Sequence, residues 1–319
     1  MCCVQNAERQ PTALQTAFAG GAAGAVTRAI AQPLDVLKIR FQLQLEPIKR
    51  GSKYSSIVQA LSSIVKEEGV STLWSGHIPA QLLSISYGVL QFSIFEKLTE
   101  LCRRSDPKFY IDHKHWLNFA NGATAASVAT IVSFPFDTIR TRLIAEQKTQ
   151  KAYKGFSNAV SVIYKTEGCK ALFKGIIPTL AQVAPHAGIQ FVVYKSLTDN
   201  VFNRINFFQR YTTLGEVVGS SVSANFIAGG IAGIVAKTTI YPFDVVKKRL
   251  QIQGFQQHRK NFGKQMYCSG LFDCIKLTIT EEGFLALYKG YGPSVLKAIL
   301  VSALHFAVYD EIKHFILKL

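Results

Sequence analysis

Pro33-Leu34-Asp35-Val36-Leu37-Lys38-Ile39-Arg40 returns as Pro135-Phe136-Asp137-Thr138-Ile139-Arg140-Thr141-Arg142. It returns again as Pro242-Phe243-Asp244-Val245-Val246-Lys247-Lys248-Arg249. Each copy reads proline, acid, base, base at one spacing, and the prolines divide the chain into near-equal thirds. Other landmarks keep step with them. Gly20, Gly122 and Gly229 stand at one distance before the prolines. Glu68-Gly69, Glu167-Gly168 and Glu282-Gly283 come after, followed by Gly76, Gly175 and Gly290, then Pro79, Pro178 and Pro293. Five aligned landmarks in three copies make an internal repeat, and the repeat decides the fold.

Each copy predicts the same elements. A long apolar helix runs through the Pro-x-Asp motif (residues 12–44, 115–145 and 220–251). A short amphipathic helix follows (56–68, 155–167 and 270–282). In its first copy Ile57, Leu61, Ile64 and Val65 fall at helical spacing. A second apolar helix ends the unit (77–101, 176–201 and 291–317). The expected units are residues 12–105, 113–205 and 216–317. Gly20-x-x-x-Gly24 and Gly229-x-x-x-Gly233 suit close approach of membrane helices. Apolar and small residues occupy most faces of the long helices rather than one stripe, which favours six membrane spans over a soluble helical array. The fold class expected is therefore an all-α membrane protein with threefold pseudosymmetry.

Composition agrees. Of 319 residues 48% are hydrophobic and 18% charged, against roughly 25% charged in soluble proteins. Lys and Arg outnumber Asp and Glu by 36 to 20, giving a net charge of +16. The bases are scattered between apolar stretches, not gathered on a polar surface, which argues against a nucleic-acid binder. No Cys-x-x-Cys, nucleophile–base pair or phosphate-loop motif points to a metal site or an enzyme, and no cofactor is expected. Met1 to Pro11 carries no secretory or Arg-rich leader pattern, so any organellar address is expected to be internal.

Ionisable residues inside membrane spans mark function. Within each motif the Asp and the base three residues on lie near one helix face, so a local pair is one reading. The other is a ring in which each Asp takes the base of the next copy: Asp35–Arg140, Asp137–Lys247 and Asp244–Lys38. Such a ring is a gate. Gln42 and Gln251 share a register beyond it and are candidate braces. Arg40, Arg142 and Arg249 project at another angle, toward carbonyls or headgroups. Arg28 and Lys237 share a register before the prolines, with Thr130 in the second copy. On the second helices Leu83, Gln182 and Lys297 match, and one turn on come Tyr87, His186 and Val301. The cations can snorkel or join the gate network, and His186 and Tyr87 can be packing residues. If Arg28, Lys237 and Lys297 face the bundle interior with no acid beside them, they require an anionic cargo.

These motifs resemble those of the mitochondrial carrier family over nearly the whole chain, including Phe173-Lys174-Gly175 and Tyr288-Lys289-Gly290. The resemblance implies a monomeric six-helix barrel in the mitochondrial inner membrane, working by alternating access. Its termini would face the intermembrane space and its ion ring the matrix. It implies cardiolipin at Gly155, Gly175, Gly270 and Gly290. It also implies a second, cytoplasmic gate reading aromatic-acid-x-x-base. Tyr309-Asp310-Glu311-Ile312-Lys313 fits that pattern; Glu96 lacks its base, and Lys195 stands where an acid belongs. Lys195 or Lys313 would pair with Glu96 in a weak gate. The cargo positions become Leu83, Gln182-Val183 and Lys297-Ala298. The run Gly76–Ile85 and the long third loop are similar to the branch that moves thiamine pyrophosphate, which the resemblance makes the expected cargo, in exchange for nucleotides. A coenzyme A type cargo and a non-transporting scaffold remain the alternatives.

Overall fold

The computed structural model describes residues 13–45, 53–146, 152–198, 217–254 and 267–318, and all regular structure among them is helical. Six long helices carry the three copies: α1 (Ala13–Leu43), α3 (His77–Ser105), α5 (Lys114–Ala145), α7 (Ile176–Leu197), α8 (Val217–Gln251) and α10 (Tyr291–Lys318). Short helices α2 (Ile57–Glu68), α6 (Phe156–Glu167) and α9 (Leu271–Glu282) lie between the members of each pair. The sequence did not signal α4 (Pro107–Asp112), a turn-length helix. Asp106 starts it by accepting a hydrogen bond from Phe109 N at 3.0 Å, with Pro107 in the first turn. Helix α3 also continues past Leu101 to Ser105. The expected end of the fourth long helix at Val201 lies outside the described residues.

Each Pro-x-Asp proline sits inside its long helix, so the chain passes through it without stopping. The short helices dock by their apolar faces. In the first copy Ala60 and Ile64 of α2 pack with Leu37 and Phe41 of α1 and with Tyr54. The second repeats this with Ala159, Ile163, Ile139 and Tyr153. A single 3-10 turn then leads to Gly76, Gly175 or Gly290, each with positive φ.

Those three glycines close the ring. A side chain on Gly76 would meet the Arg140 carbonyl at 3.0 Å, one on Gly175 the Lys247 carbonyl at 2.9 Å, and one on Gly290 the Lys38 carbonyl at 2.7 Å. Each copy thus sets the start of its second helix on the motif of the next, and the third sets it on the first. The long-helix contacts follow the same order: α3 on α5, α7 on α8, and α10 on α1.

The outer surface is apolar. Ile85, Val89 and Phe92 on α3, Val128, Ile131 and Val132 on α5, and Phe191 and Val192 on α7 are all exposed. Such faces suit lipid, where backbone groups are satisfied within helices. Among the described residues three helical stretches are long and apolar enough to cross a membrane: Val70–Ser105, Lys114–Ala145 and Cys169–Leu197.

Candidate functional site: an ion ring beneath a basic cavity

The interior charges meet where the three motif helices converge. Arg140 Nη2 lies 2.5 Å from Asp35 Oδ2, Lys247 Nζ 2.8 Å from Asp137 Oδ2, and Lys38 Nζ 3.4 Å from Asp244 Oδ2. Every Asp takes the base of the following copy; among the described residues none pairs with the base in its own motif. These side chains are 6–17% exposed, so the ring is largely desolvated. Pulling one partner from such a pair leaves a charge without compensation, at a cost of about 3–5 kcal/mol where burial is full.

The three junctions are not alike. Asp137 takes both its bases from the third motif, Lys247 and, with Nζ at 2.9 Å, Lys248. Gln251 braces the same acid, Nε2 donating to Asp137 Oδ2 at 2.8 Å while its Oε1 accepts from Thr141 at 2.6 Å. Gln42 occupies the matching register but donates to the Tyr241 hydroxyl at 3.2 Å, and Tyr241 donates to the Lys289 carbonyl at 3.0 Å. Lys248 and Tyr241 were not among the residues expected from sequence. Lys248 follows Lys247 directly, and a second base at that place occurs in the third copy alone.

The deeper cations are not isolated, which corrects the expectation that no acid lies beside them. Lys297 Nζ is 2.6 Å from Asp35 Oδ1, and Lys237 is ion-paired with Asp244. Lys237 and Asp244 are two helical turns apart on one face of α8, within reach of an extended lysine. Arg28 donates from Nη1 to the Ala80 carbonyl at 2.8 Å, so it caps backbone on α3. Seven bases (Arg28, Lys38, Arg140, Lys237, Lys247, Lys248 and Lys297) therefore gather around three acids.

Two connected cavities lie above the ring. One, of about 470 Å³, is lined by Arg28, Leu83, Tyr87, Thr130, Gln182 and the ring residues Asp137 and Lys247. The other, of about 560 Å³, is lined by Tyr87, Gln182, His186, Lys237 and Asp244, and extends to Gln91, Asn118 and Phe119. Tyr87, Gln182 and Val183 belong to both. The Gln182 Oε1 is buried with no hydrogen-bond partner. The volumes suit a drug-sized molecule with polar groups at fixed points. Lys297 lines neither cavity; its ammonium is committed to Asp35.

Arg40, Arg142 and Arg249 do reach carbonyls of the next copy, at Ile144 (3.2 Å), Gln251 (3.1 Å) and Gln42 (3.4 Å). Their main partners are acids that sequence reasoning used only as landmarks. Arg40 grips Glu68 with two bonds of 2.6 and 2.7 Å, Arg249 grips Glu282 with bonds of 2.5 and 3.0 Å, and Arg142 grips Glu167 likewise. The fork geometry of guanidinium on carboxylate staples each short helix to its long helix.

At the other end, Glu96 and Lys195 are exposed, and neither forms an ion pair among the described residues. The side chains of Asp310 and Lys313 lie outside the described residues. Gly155 and Gly270 cap the starts of α6 and α9, and Gly175 and Gly290 cap those of α7 and α10 in the left-handed or adjacent region.

A family model described as mitochondrial carrier protein matches residues 9–106, 112–204 and 219–319. A mitochondrial thiamine pyrophosphate carrier of Homo sapiens is 41% identical over 305 residues, covering 95% of this chain and 92% of the relative. Mitochondrial thiamine diphosphate carrier 2 of Zea mays is 36% identical over 321 residues, covering 95% and 94%. Mitochondrial thiamine pyrophosphate carrier 1 of Coccidioides immitis is 33% identical over 306 residues, covering 93% and 91%.

Proposed function

The chain belongs to the mitochondrial carrier family, and from that premise we propose that it moves thiamine pyrophosphate across the mitochondrial inner membrane by alternating access. The observation that carries this reading is the excess of bases around the ring acids. A pyrophosphate supplies the missing negative charge, and the named relatives carry this cofactor.

The mechanism follows from the ion pairs. With the ring shut, Asp35 and Asp244 hold Lys297 and Lys237 in place as well as closing the gate. A pyrophosphate arriving from the cavity offers those lysines stronger, doubly charged partners. As the lysines turn to the phosphates, each acid keeps one ring base, and the barrier to opening falls. Arg28, which lines the smaller cavity, gives the phosphates a third cation. Gln182, with its free acceptor, and Tyr87 and His186 line the cavities beside these cations and would take the cofactor's aromatic end. Leu83 supplies apolar contact. This is differential binding: the cargo lowers the gate only because it binds the opening state better than the shut one.

Nucleotides are the proposed counter-substrates, since they offer phosphates and a ring to the same groups. Lipid phosphates, cardiolipin in the proposed membrane, would sit at the helix starts capped by Gly155, Gly175, Gly270 and Gly290, where free N–H groups attract anions. The working unit would be a monomer, its termini toward the intermembrane space, the ring toward the matrix, and Glu96, Lys195, Asp310 and Lys313 forming the opposing gate.

The test is a panel of labelled phosphorylated cofactors offered to purified protein in liposomes. Saturable exchange of thiamine pyrophosphate in preference to coenzyme A species supports the reading. Preference for coenzyme A moves the cargo, and no exchange of any anion by folded protein makes the chain a scaffold.

A further inference from the structure

The three copies differ at one pair of positions, joined in a core cluster in each copy, in a way the transport reading does not use. Two residues before each short helix's cap stand Tyr54, Tyr153 and Cys268; at the fourth position inside the helix stand Ala60, Ala159 and Cys274. In the first two copies the tyrosine and the alanine belong to one core cluster. In the third, both positions have become cysteine, and both cysteines belong to the core cluster with Val246, Leu250 and Leu287. This is the place where a residue ahead of the cap packs onto the first turns of a helix.

The exchange reaches further. Tyr54 accepts a hydrogen bond from Arg40 Nη1 at its hydroxyl, at 3.2 Å. Without a tyrosine, Arg249 Nη1 donates instead to Thr278 Oγ1 at 2.9 Å. Thr278 stands where the other copies have Ile64 and Ile163. Three substitutions in one copy thus make room for two thiols while preserving the bonds of the buried arginine.

We propose that Cys268 and Cys274 are a modification site, a dithiol at the start of α9 that closes to a reversible intrachain disulfide when met by a peroxide. The thiols are free in this structure and lie in one core cluster, Cys268 just ahead of the α9 cap and Cys274 in the first turns of the helix. Hydrogen bonding from Cys274 favours the Cys268 thiolate and holds that thiol below its ordinary value, whereas the same bonding and burial push Cys274 up. Cys268 is 8% exposed and Cys274 fully buried, so Cys268 is the residue that a peroxide meets first. The Cys268 thiolate attacks the peroxide, its S–O bond forms, the O–O bond breaks, and hydroxide leaves with a proton as water. The Cys274 sulfur then displaces the oxygen of the sulfenic acid; the S–S bond forms and a second water departs. Two thiols and one hydrogen peroxide give one disulfide and two waters.

The experiment uses the full chain in liposomes, exposed to hydrogen peroxide, blocked with N-ethylmaleimide and digested with trypsin. Cleavage after Lys264 and Lys276 places both cysteines in one peptide, Gln265–Lys276. After oxidation that peptide is expected to lose two hydrogens and take no maleimide, and to take two after dithiothreitol. Cys274→Ala installs the residue that the first two copies carry there, so the fold is kept; its Cys268 is expected to be trapped as a sulfenic acid. The proposal is overturned if the wild-type peptide still takes two maleimides at a peroxide dose that oxidises the exposed Cys169, or if Cys268 instead pairs with a different cysteine.

Discussion

Replacing Lys297 with glutamine separates two roles that the geometry assigns to one ammonium. In the shut state Lys297 Nζ sits 2.6 Å from Asp35 Oδ1, while Arg140 holds the other oxygen of the same carboxylate at 2.5 Å. Lys297→Gln therefore weakens the ring without orphaning its acid. A charge-assisted hydrogen bond of this kind contributes about 1.5–3 kcal/mol. If the same ammonium moves to a cargo phosphate, which carries two charges to the carboxylate's one, the bound state loses more than the shut state does, and each difference of about 1.4 kcal/mol is roughly 10-fold in half-saturation. The assay is initial uptake of labelled thiamine pyrophosphate into liposomes across a concentration series, with the melting temperature of the purified variant in parallel. The expected result is a large rise in half-saturation with a small fall in melting temperature. Unchanged half-saturation with a clear fall in melting temperature would refute the transfer of Lys297 from acid to cargo, and would leave it a gate residue alone.

Asp137→Asn takes the acid from Lys247, at 2.8 Å, and from Lys248, and removes the acceptor of the Gln251 brace, whereas Asp244 holds its ring lysine at 3.4 Å and Gln42 turns to Tyr241 instead. It should open a leak larger than Asp244→Asn does, read as uncoupled efflux from loaded vesicles. Gly290→Ala puts a side chain into positive φ and 2.7 Å from the Lys38 carbonyl; a loss of about 1–3 kcal/mol is expected in thermal unfolding, larger than for Gly20→Ala in open space. Glu167 lies on α6, outside the spans. Burial alone would raise its pKa, but hydrogen bonding and charge from Arg142, with Lys174, hold it below the usual carboxylate value. Its contribution is therefore full above the unfolded pKa of about 4.3 and is lost as pH falls through the folded value, so the stability gap between wild type and Glu167→Gln should be flat near neutrality and close in acid.

What the sequence made legible was what the threefold repeat enforces. Asp35, Asp137 and Asp244 could be matched to Arg140, Lys247 and Lys38 because symmetry permits few closed pairings of three acids with three bases. The glycines were visible as landmarks, but their reason was not: only coordinates show Gly290 against the Lys38 carbonyl. Glu68, Glu167 and Glu282 were read as punctuation although their fixed distance from Arg40, Arg142 and Arg249 was a signal for pairing. Lys297 and Lys237 were placed inside correctly by register, yet their contacts with Asp35 and Asp244 depend on lysine reach across turns and helices, which spacing does not encode. Gln42 and Gln251 share a register and still differ, because Tyr241 stands beside one of them alone.

The excess of positive charge around the ring is most directly tested by removing it. Wild type and the triple variant Arg28→Gln, Lys237→Gln, Lys297→Gln would be reconstituted side by side and assayed for uptake of labelled thiamine pyrophosphate. Saturable uptake by wild type and none by a variant that still melts cooperatively is the expected outcome; undiminished uptake by the variant would contradict a cargo held by these cations.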